Sequence, residues 1–340
     1  MLALSACAGA SESPVPSSSS QATSTAAEAS ASAAASASVV VGDGEEWLAY
    51  QWLDRGGEDG IFLARPDGSG YHQLARDMPG HELHPDWSPD GERIAFVHFT
   101  PADLSELWVV NADGSGLELL LSCELPCNSF GYPDWDADGG AIYFGQDANA
   151  PVGEPPTTFQ VARLDLATGN VDVLLTREDG MTAEQPRVSP DGQRVVYTRF
   201  REPADSFAGS AIFVCDLEGG PEQRLTEWDT YSAYPDWSAD DLIVFNTFDL
   251  GAFQDITTAV NLYTISPDGS QIQRLTDYGE FETRATQPRW SPDGSGIVYT
   301  QVQGEGFGTR SAAFLSLGGG ESPWAGFDPI IATHPTLRPL

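Results

Sequence analysis

The sequence predicts an all-β protein, a six-bladed β-propeller with four antiparallel strands in each blade. The main observation is a repeated unit, which reads HPDWSPDGERIAF in its first full copy at residues 84–96 and recurs about every fifty residues, a period typical of propeller blades. Its copies are marked by Pro85, Pro133, Pro186, Pro235, Pro288 and Pro335. A second apolar unit that ends in a glycine-rich turn, such as LWVVNADGSG from residue 107, lies between successive copies. No long stretch has the 3.6-residue periodicity of a helix.

The first copy of the unit places His84, Asp86 and Ser88, the residue types of a hydrolytic triad, within five positions. The Ser-Pro-Asp-Gly turn predicts two short strands joined by a tight hairpin. Strict strand alternation would put the three side chains on one face, with His84 and Ser88 about 13 Å apart. A nucleophile and its base must lie within hydrogen-bond distance, and the other copies carry different letters here. The pattern therefore predicts a structural hairpin and not a triad.

The recurrent parts of the unit have structural interpretations. Pro, Asp and Gly suit successive positions of the turn. The tryptophans occupy the strand face opposite to the His84 position, where they are suited to fill the gaps between neighbouring sheets: Trp87, Trp135, Trp237 and Trp290. Residues 45–52 align with the strand after the turn and lack the strand before it, which residues 334–339 supply. The C-terminal strand is therefore expected to complete the first blade and to close the ring.

The units P-x-W-S-P-D-G-x-x-I-x-F and L-W-V-V-N-A-D-G-S-G are similar to the WD40-like repeats of the TolB family, over residues 46–340. This resemblance implies a six-bladed propeller whose innermost strands carry the x-P-D-W segment. It also implies a setting in the cell envelope, outside the cytoplasm, and a binding role. The sequence departs from the family at its N-terminus, where about 45 low-complexity residues stand in place of the folded α/β domain of TolB. A TolB-like propeller without that N-terminal domain is the expectation.

The N-terminal residues resemble a bacterial lipoprotein signal. Leu4-Ser5-Ala6-Cys7 matches a lipobox, which predicts lipidation of Cys7, and a chance match in an alanine-rich stretch is the alternative. Only six residues precede Cys7, fewer than a signal peptide needs, so residues 1–7 are interpreted as a truncated signal. Residues 8–45 are rich in Ser and Ala and predict a disordered tether. The expected location is extracytoplasmic, periplasmic or at the cell surface, with contact to a bacterial membrane only through the lipid.

The charge of the protein excludes some partners. Fifty acidic residues against sixteen basic ones give a net charge of −34 at pH 7. Nucleic acids and anionic membrane surfaces both require basic patches, so neither is expected as a partner. The acidity is interpreted as an adaptation to solubility or salt, and the alternative is a surface that binds cations or a cationic partner.

Candidate covalent and metal sites are few. Cys123 and Cys127 lie in one connecting loop, and a disulfide between them is favoured over a metal site, which would need two more ligands. The segment DWDADGG at residues 134–140 matches the opening of a calcium loop. Its twelfth position is Gly145 instead of the bidentate Glu that such a loop requires. No metal site and no cofactor are therefore expected, with calcium as the open alternative.

The candidate binding site is one end of the central channel. The SPDG and DGSG turns share one face of the ring, whereas the long and dissimilar connections, at 145–159, 198–210, 246–260 and 276–286, share the other. The innermost strands begin on that second face, which brings six residues to the channel mouth: His84, Tyr132, Gln185, Tyr234, Gln287 and His334. One step further in, acids alternate with arginines: Asp86, Asp134, Arg187, Asp236 and Arg289. Ligand contact and mutual pairing across the channel are both open for these charges.

The resulting functional hypothesis is a non-catalytic scaffold, a monomeric propeller that binds a protein, peptide or glycan partner at the cell envelope. The alternative is a propeller enzyme, such as a glycan lyase or hydrolase, that uses carboxylates and histidines at the channel mouth. A passive accessory component of an exporter or peptidase system is a third possibility. No catalytic residue is predicted, because no G-x-S-x-G, H-E-x-x-H or Walker A motif occurs in the sequence.

Overall fold

A computed structural model describes most of the protein after residue 40. The described residues are 41–42, 44–52, 60–124, 127–148, 158–177, 182–201, 209–217, 220–248, 259–279, 283–304, 308–318, 321–322 and 332–339. The protein divides into two units, Met1–Ala37 and Ser38–Leu340, and all described residues belong to the second. Cys7 and the predicted tether up to residue 40 therefore lie outside the described residues.

The first three blades are built as follows. Blade 1 contains β1 (Leu48–Trp52), β2 (Gly60–Ala64), β3 (His72–Gln73) and, as its innermost strand, β24 (Ala332–Leu337). Blade 2 contains β4 (His81–Trp87), β5 (Arg93–Phe99), β6 (Ser105–Asn111) and β7 (Glu118–Ser122). Blade 3 contains β8 (Cys127–Trp135), β9 (Ala141–Ala148), β10 (Thr158–Asp165) and β11 (Val171–Arg177).

The other three blades repeat this order. Blade 4 contains β12 (Thr182–Val188), β13 (Arg194–Phe200), β14 (Ser210–Asp216) and β15 (Gln223–Arg224). Blade 5 contains β16 (Ala233–Trp237), β17 (Ile243–Phe248), β18 (Val260–Ile265) and β19 (Gln273–Arg274). Blade 6 contains β20 (Thr283–Trp290), β21 (Gly296–Gln303), β22 (Thr309–Ser316) and β23 (Glu321–Ser322). A single 3-10 turn, Trp228–Thr230, is the only helical element among the described residues.

The six sheets confirm the predicted all-β propeller of four antiparallel strands per blade. Strand β24 pairs with β1, with Leu48 opposite Leu337 and Trp52 opposite Ala332, so the C-terminal strand completes the first blade as predicted. Within the described part of the protein, no helix has the length and apolar character that a membrane span would need.

The core consists of apolar layers between successive sheets. Trp87 packs with residues of blade 1, Trp135 with blade 2 and Trp237 with blade 4, so each fills the gap to the preceding blade. These three rings are only 4 to 8% exposed. Trp290 packs at the gap between blades 5 and 6 but stays half-buried. The prediction that the tryptophans fill the gaps between sheets is confirmed.

Each innermost strand is interrupted by a β-bulge, which corrects the predicted alternation. In β4 the register shifts between Leu83 and Asp86. The side chains of these two residues therefore lie on the same face of the strand, although the residues are three positions apart. His84 and Asp86 therefore do not share a strand face, and that expectation was wrong. The physical reason is the proline: it cannot donate to the strand ladder, and the residue before it takes up a left-handed conformation as the extra bulge residue. The positive φ values, between 50 and 62°, occur at His84, Tyr132, Gln185, Tyr234, Gln287 and His334.

In blades 2, 4, 5 and 6 the tight hairpin after the innermost strand is closed by a serine. In blade 2, Ser88 Oγ accepts a hydrogen bond from the main-chain N–H of Arg93 at 2.9 Å, and Gly91 takes the left-handed conformation that the turn requires. The main-chain bond from Ser88 N to Arg93 O recurs in the other hairpins of blades 3 to 6. It defines one equivalent residue per blade, which we call the exit position: Arg93, Ala141, Arg194, Leu242 and Gly296.

Candidate functional site

Six side chains, one from the bulge of each blade, meet at the axis and form what we call the mouth ring: His84, Tyr132, Gln185, Tyr234, Gln287 and His334. The imidazole of His84 stacks on Tyr132 with ring centroids 3.9 Å apart, and meets His334 edge-on at 4.7 Å. The ring of Tyr234 lies 5.8 Å from that of His334. The cavity that remains among these side chains is about 20 Å³, room for about one water molecule. The mouth ring therefore closes the channel.

The glutamines hold the mouth ring together. Gln185 Oε1 accepts hydrogen bonds from Thr198 Oγ1 of its own blade, at 2.7 Å, and from the main-chain N–H of Tyr234 in the next blade, at 2.8 Å. Gln287 Oε1 repeats both bonds with its own blade and the next, at 2.8 and 3.1 Å. These side chains link neighbouring blades, so they stabilise the ring whether or not they contact a ligand.

Burial keeps the mouth ring uncharged. The pKa of His84 is lowered to about 3, first by burial and then by the positive charge of Arg187. Burial and the neighbouring His84 also hold the pKa of His334 well below its usual value. Burial raises the pKa of the Tyr132 hydroxyl. Both imidazoles are therefore neutral at physiological pH, and neither supplies an acidic proton there.

The five predicted charges form a second layer, which we call the axial layer: Asp86, Asp134, Arg187, Asp236 and Arg289. Arg289 contacts Asp86 at 2.5 Å through Nη2 and Asp236 at 3.2 Å through Nε. Arg187 Nε lies 3.5 Å from the same Asp236 oxygen. Four of the five charges are thus paired across the channel, and whether they also contact a ligand stays open.

Each aspartate of the axial layer also accepts a main-chain hydrogen bond from the next blade. Asp86 Oδ2 accepts from the N–H of Trp135 at 3.2 Å, and Asp134 Oδ2 accepts from Val188 at 2.8 Å. Asp236 Oδ2 accepts from the N–H of Trp290 at 2.7 Å. These bonds join the first strands of successive blades, because a carboxylate can satisfy a buried N–H that no strand partner reaches.

The axial layer holds three carboxyl groups but only two guanidinium groups. The pKa of Asp134 is raised to about 7, mainly by burial and further by the charge of Asp86, while Arg187 acts in the opposite direction. For Arg289, burial opposes the charged form, but the surrounding aspartates outweigh it and raise the pKa. The charge of Asp134 therefore changes near neutral pH.

A cavity of about 500 Å³ lies beyond the axial layer, at the end of the channel formed by the SPDG-type turns. We call it the turn-side cavity. Its lining includes four members of the axial layer, Asp134, Arg187, Asp236 and Arg289. Its walls are the hairpins of blades 3 to 6, at residues 135–138, 188–192, 237–239 and 290–292. A neighbouring cavity of about 340 Å³ lies between blade 6 and the closing strand.

The structure thus brings all eleven predicted binding residues to the axis, in two layers. The long connections that motivated the choice of face lie largely outside the described residues, at 149–157, 202–208, 249–258 and 280–282. Sequence reasoning missed the turn-side walls, including Asp138 and Asp191, because the near-identical turns were interpreted as purely structural. It also missed Asp147 and Glu184, whose pKa values burial raises to about 6 and about 7.

The other predicted sites have clear positions. A disulfide joins Cys123 and Cys127, with Cα atoms 5.4 Å apart. In the segment that resembles a calcium loop, Asp136 Oδ1 accepts the main-chain N–H groups of Gly140 and Ala141 at 2.7 and 3.0 Å. Its carboxylate therefore takes the place that serine has in the other hairpins. No group of three or more potential metal ligands converges among the described residues.

Comparison of the sequence with known proteins finds distant relatives. No family model matches the sequence. The protein is 26% identical over 222 residues to the uncharacterized protein Atu1656 of Agrobacterium fabrum, a match that covers 63% of this sequence and 68% of that protein. It is 30% identical over 130 residues, 37% of this sequence, to the uncharacterized peptidase YuxL of Bacillus subtilis, but this match spans only 18% of the peptidase.

Comparison with solved structures relates the fold to known propellers. TolB from Acinetobacter baumannii superposes with a TM-score of 0.63 at 20% identity, over 87% of this protein and 67% of that one. A putative TolB from Agrobacterium tumefaciens gives 0.56 at 19% identity, over 82% and 87% of the two proteins. An oligogalacturonate lyase from Vibrio parahaemolyticus gives 0.50 at 12% identity, over 78% and 85%. Together with the repeats and the six closed blades, these likenesses show that the protein has the fold of a TolB-like six-bladed β-propeller.

Proposed function

We propose that this propeller is a non-catalytic binding module that holds a protein, peptide or glycan of the bacterial cell envelope at its central channel. The observation that carries the proposal is the turn-side cavity, whose volume of about 500 Å³ falls in the range of about 300–1,000 Å³ typical of ligand sites. Its walls combine aromatic rings, prolines and carboxylates, the groups with which proteins bind peptides and sugars.

The state of the axial residues favours binding over catalysis. Arg289 and Arg187 are paired with aspartates, and each aspartate is bonded to the main chain of the next blade. The two histidines of the mouth ring are neutral and half-buried. Proton transfer to a substrate would require these contacts to break, whereas ligand binding in the cavity leaves them intact.

An enzymatic role is the second candidate, and one observation favours it. Asp134 lines the turn-side cavity and has a pKa of about 7, which is the range suited to a general base at neutral pH. In this second candidate role, the protein is a glycan lyase or hydrolase, or an accessory to a peptidase. The lyase among the structural neighbours has the same fold at 12% identity, a likeness of fold alone.

The location is part of the proposal. We place the propeller outside the cytoplasm, attached through a lipid on Cys7 and separated from the membrane by the Ser/Ala-rich residues 8–45. The lipobox letters and the composition of the tether support this placement. Globomycin treatment and radiolabelled palmitate would test it, since a Cys7→Ser variant is expected to lose the label and to leave the membrane fraction.

The binding proposal is tested by capture from a bacterial envelope extract with tagged protein. Ala239 is exposed and lines the turn-side cavity, so Ala239→Trp is expected to obstruct the cavity and abolish capture of the partner. Val173→Trp places the same indole side chain on the exposed outer strand of blade 3 and should leave capture unchanged. Tyr132→Ala/Tyr234→Ala probes the mouth ring in parallel.

Three results would contradict the proposal. Equal capture by the wild type, Ala239→Trp and Val173→Trp would show that the turn-side cavity is not the binding site. Loss of capture only in the tyrosine variant would move the site to the mouth ring. Turnover of envelope glycans or peptides without stable capture, abolished by Asp134→Asn, would replace the binding module with the enzymatic candidate.

A further inference from the structure

Two gaps between blades are covered by an arginine that lies on a tryptophan. The guanidinium carbon of Arg93, at the exit position of blade 2, lies 4.8 Å from the ring centroid of Trp135 in blade 3. Arg194, at the exit position of blade 4, lies 4.8 Å from the ring of Trp237 in blade 5. Contacts of this kind are attractive because the face of an indole ring is electron-rich. The fold therefore places a guanidinium on the indole at each of these two gaps.

The gap between blades 5 and 6 has the tryptophan without the arginine. The main-chain bond from Ser238 N to Leu242 O, at 2.8 Å, aligns Leu242 with Arg93 and Arg194 at the exit position. The tryptophan of the next blade is Trp290, and no arginine lies over its ring in the part of the protein that the structure describes. Trp290 is half-buried, in contrast to the almost fully buried indoles of the other repeats.

Trp290 also lacks the hydrogen bond that holds the other indoles. Trp87 and Trp135 donate from Nε1 to main-chain oxygens of the preceding blade, at 3.3 and 3.2 Å, and Trp237 donates to Asp241 at 2.9 Å. The buried Nε1–H of Trp290 meets no acceptor among the described residues. Its ring is therefore neither covered by a guanidinium, as Trp135 and Trp237 are, nor held by the Nε1 hydrogen bond that the other indoles of the repeat make.

The surroundings of Trp290 favour a positive charge. The ring lines the turn-side cavity together with five aspartates and two arginines, Asp134, Asp136, Asp138, Asp191, Asp236, Arg187 and Arg289. Both arginines are already paired within the axial layer. A hydrogen bond from Ser189 lowers the pKa of Asp191, which stays ionised at neutral pH. An incoming cation therefore meets a net negative cavity on a protein whose net charge is −34.

We propose that Trp290 is the binding site for a guanidinium group supplied by the ligand, in the place that Arg93 and Arg194 fill from within the protein at the other gaps. The inference rests on the proposed binding function and adds the chemistry that the turn-side cavity recognises. The ligand is an arginine side chain, carried by a small molecule or by an exposed segment of a partner protein.

Calorimetric titration with N-acetyl-arginine amide tests the proposal, with N-acetyl-citrulline amide as its uncharged analogue. The wild type should bind the arginine probe and bind the citrulline probe at least about tenfold more weakly, since the cation–π attraction needs the charge. Trp290→Phe, which preserves an aromatic ring, should weaken arginine binding about threefold to tenfold. An arginine within a short neutral peptide should bind more tightly than the amide if the natural ligand is a protein segment, and equally if it is a small molecule.

Leu242→Arg is the sharpest variant, because it introduces the arginine that Arg93 and Arg194 provide at two other gaps. The new guanidinium should occupy the Trp290 ring and abolish binding of the probe, whereas Leu242→Met should leave binding unchanged. Equal affinities for the arginine and citrulline probes, or undiminished binding by Leu242→Arg, would overturn the proposal.

The outcome is separable from that of the proposed function. If Ala239→Trp abolishes capture of the envelope partner while Trp290→Phe and Leu242→Arg retain it, the cavity binds the partner and the guanidinium proposal is wrong. If Ala239→Trp leaves capture unchanged, the proposed location of the binding function is wrong, and the calorimetric result still decides whether Trp290 binds a guanidinium.

Discussion

The axial layer shows how position within the ring gives identical side chains different properties. Asp236 lies between two arginines, at 3.2 and 3.5 Å, and its other oxygen accepts an N–H from the next blade. Asp134 accepts the same kind of N–H but has no ion-pair contact within 4 Å among the described residues. Burial consequently dominates its behaviour and raises its pKa to about 7.

We expect Asp134→Asn to change stability in a pH-dependent way. Because the folded-state pKa is raised from 3.8 to about 7, the contribution of Asp134 to stability is fully present below pH 3.8 and is lost as the pH rises through 7. Asn keeps an acceptor for Val188 N–H and does not ionise. Relative to wild type, the variant should therefore gain about 2–3 kcal/mol between pH 5 and pH 8, measured by urea unfolding at each pH.

Asp236→Asn is the control for this measurement. It removes the carboxylate that both axial arginines contact, and breaking a buried pair in this way typically costs about 3–5 kcal/mol. That loss should be present throughout the neutral range. A stability difference for Asp134→Asn that does not vary with pH would show that its carboxyl has an ordinary pKa.

At the scale of single elements, the hairpin after the innermost strand could be predicted from the sequence, whereas the β-bulge within that strand could not. The proline is visible in every copy of the repeat, and turn residues follow it in all copies but the truncated last one, so the hairpin and its position followed from the sequence. A residue before proline ordinarily favours an extended conformation, and nothing in the sequence marks His84 or its equivalents as left-handed. Strict alternation, which places Asp86 on the same strand face as His84, is therefore wrong by one residue.

The closing serine of the hairpin should contribute to stability in each blade that has it. Ser189 Oγ accepts the N–H of Arg194 at 2.9 Å and donates to Asp191 at 2.5 Å. Ser189→Ala removes both bonds and should lower the free energy of unfolding by about 1–2 kcal/mol. Ser189→Thr retains a hydroxyl and should cost markedly less in the same urea titration. Equal losses in the two variants would mean that packing, and not the hydrogen bonds, explains the effect.

At the scale of the whole molecule, the repeat determined blade number, strand order and the closure of the ring. It could not locate the cavities, because these depend on departures from the repeat. The hairpin of blade 5 that lines the turn-side cavity has Leu242 at its exit position in place of an arginine, and the smaller cavity is lined by Ser295, Phe314 and Leu337. In the sequence, such differences cannot be told from neutral variation. Their structural effect becomes visible only when the neighbouring blades are packed together.

Removal of residues 332–340 should destroy cooperative folding of the propeller. The deletion takes away β24 and uncovers Leu48 and Tyr50, which are fully buried in blade 1. Thermal unfolding followed by circular dichroism should become broad, and a dye that binds apolar surface should report new exposure. Addition of a synthetic peptide of residues 332–340 should restore part of the transition. A truncated protein that melts as sharply as the wild type would show that the ring does not need its closing strand.

The pairing of β1 with β24 also fixes the order of events during synthesis. Leu48 and its partner Leu337 are separated by about 290 residues, so at about 5–20 residues per second the inner strand of blade 1 leaves the ribosome some 15–60 s after the strand it covers. The blades in between have all their strands earlier. The first blade to be translated is therefore the last to be completed, and its apolar inner edge needs protection from aggregation for the whole of that interval.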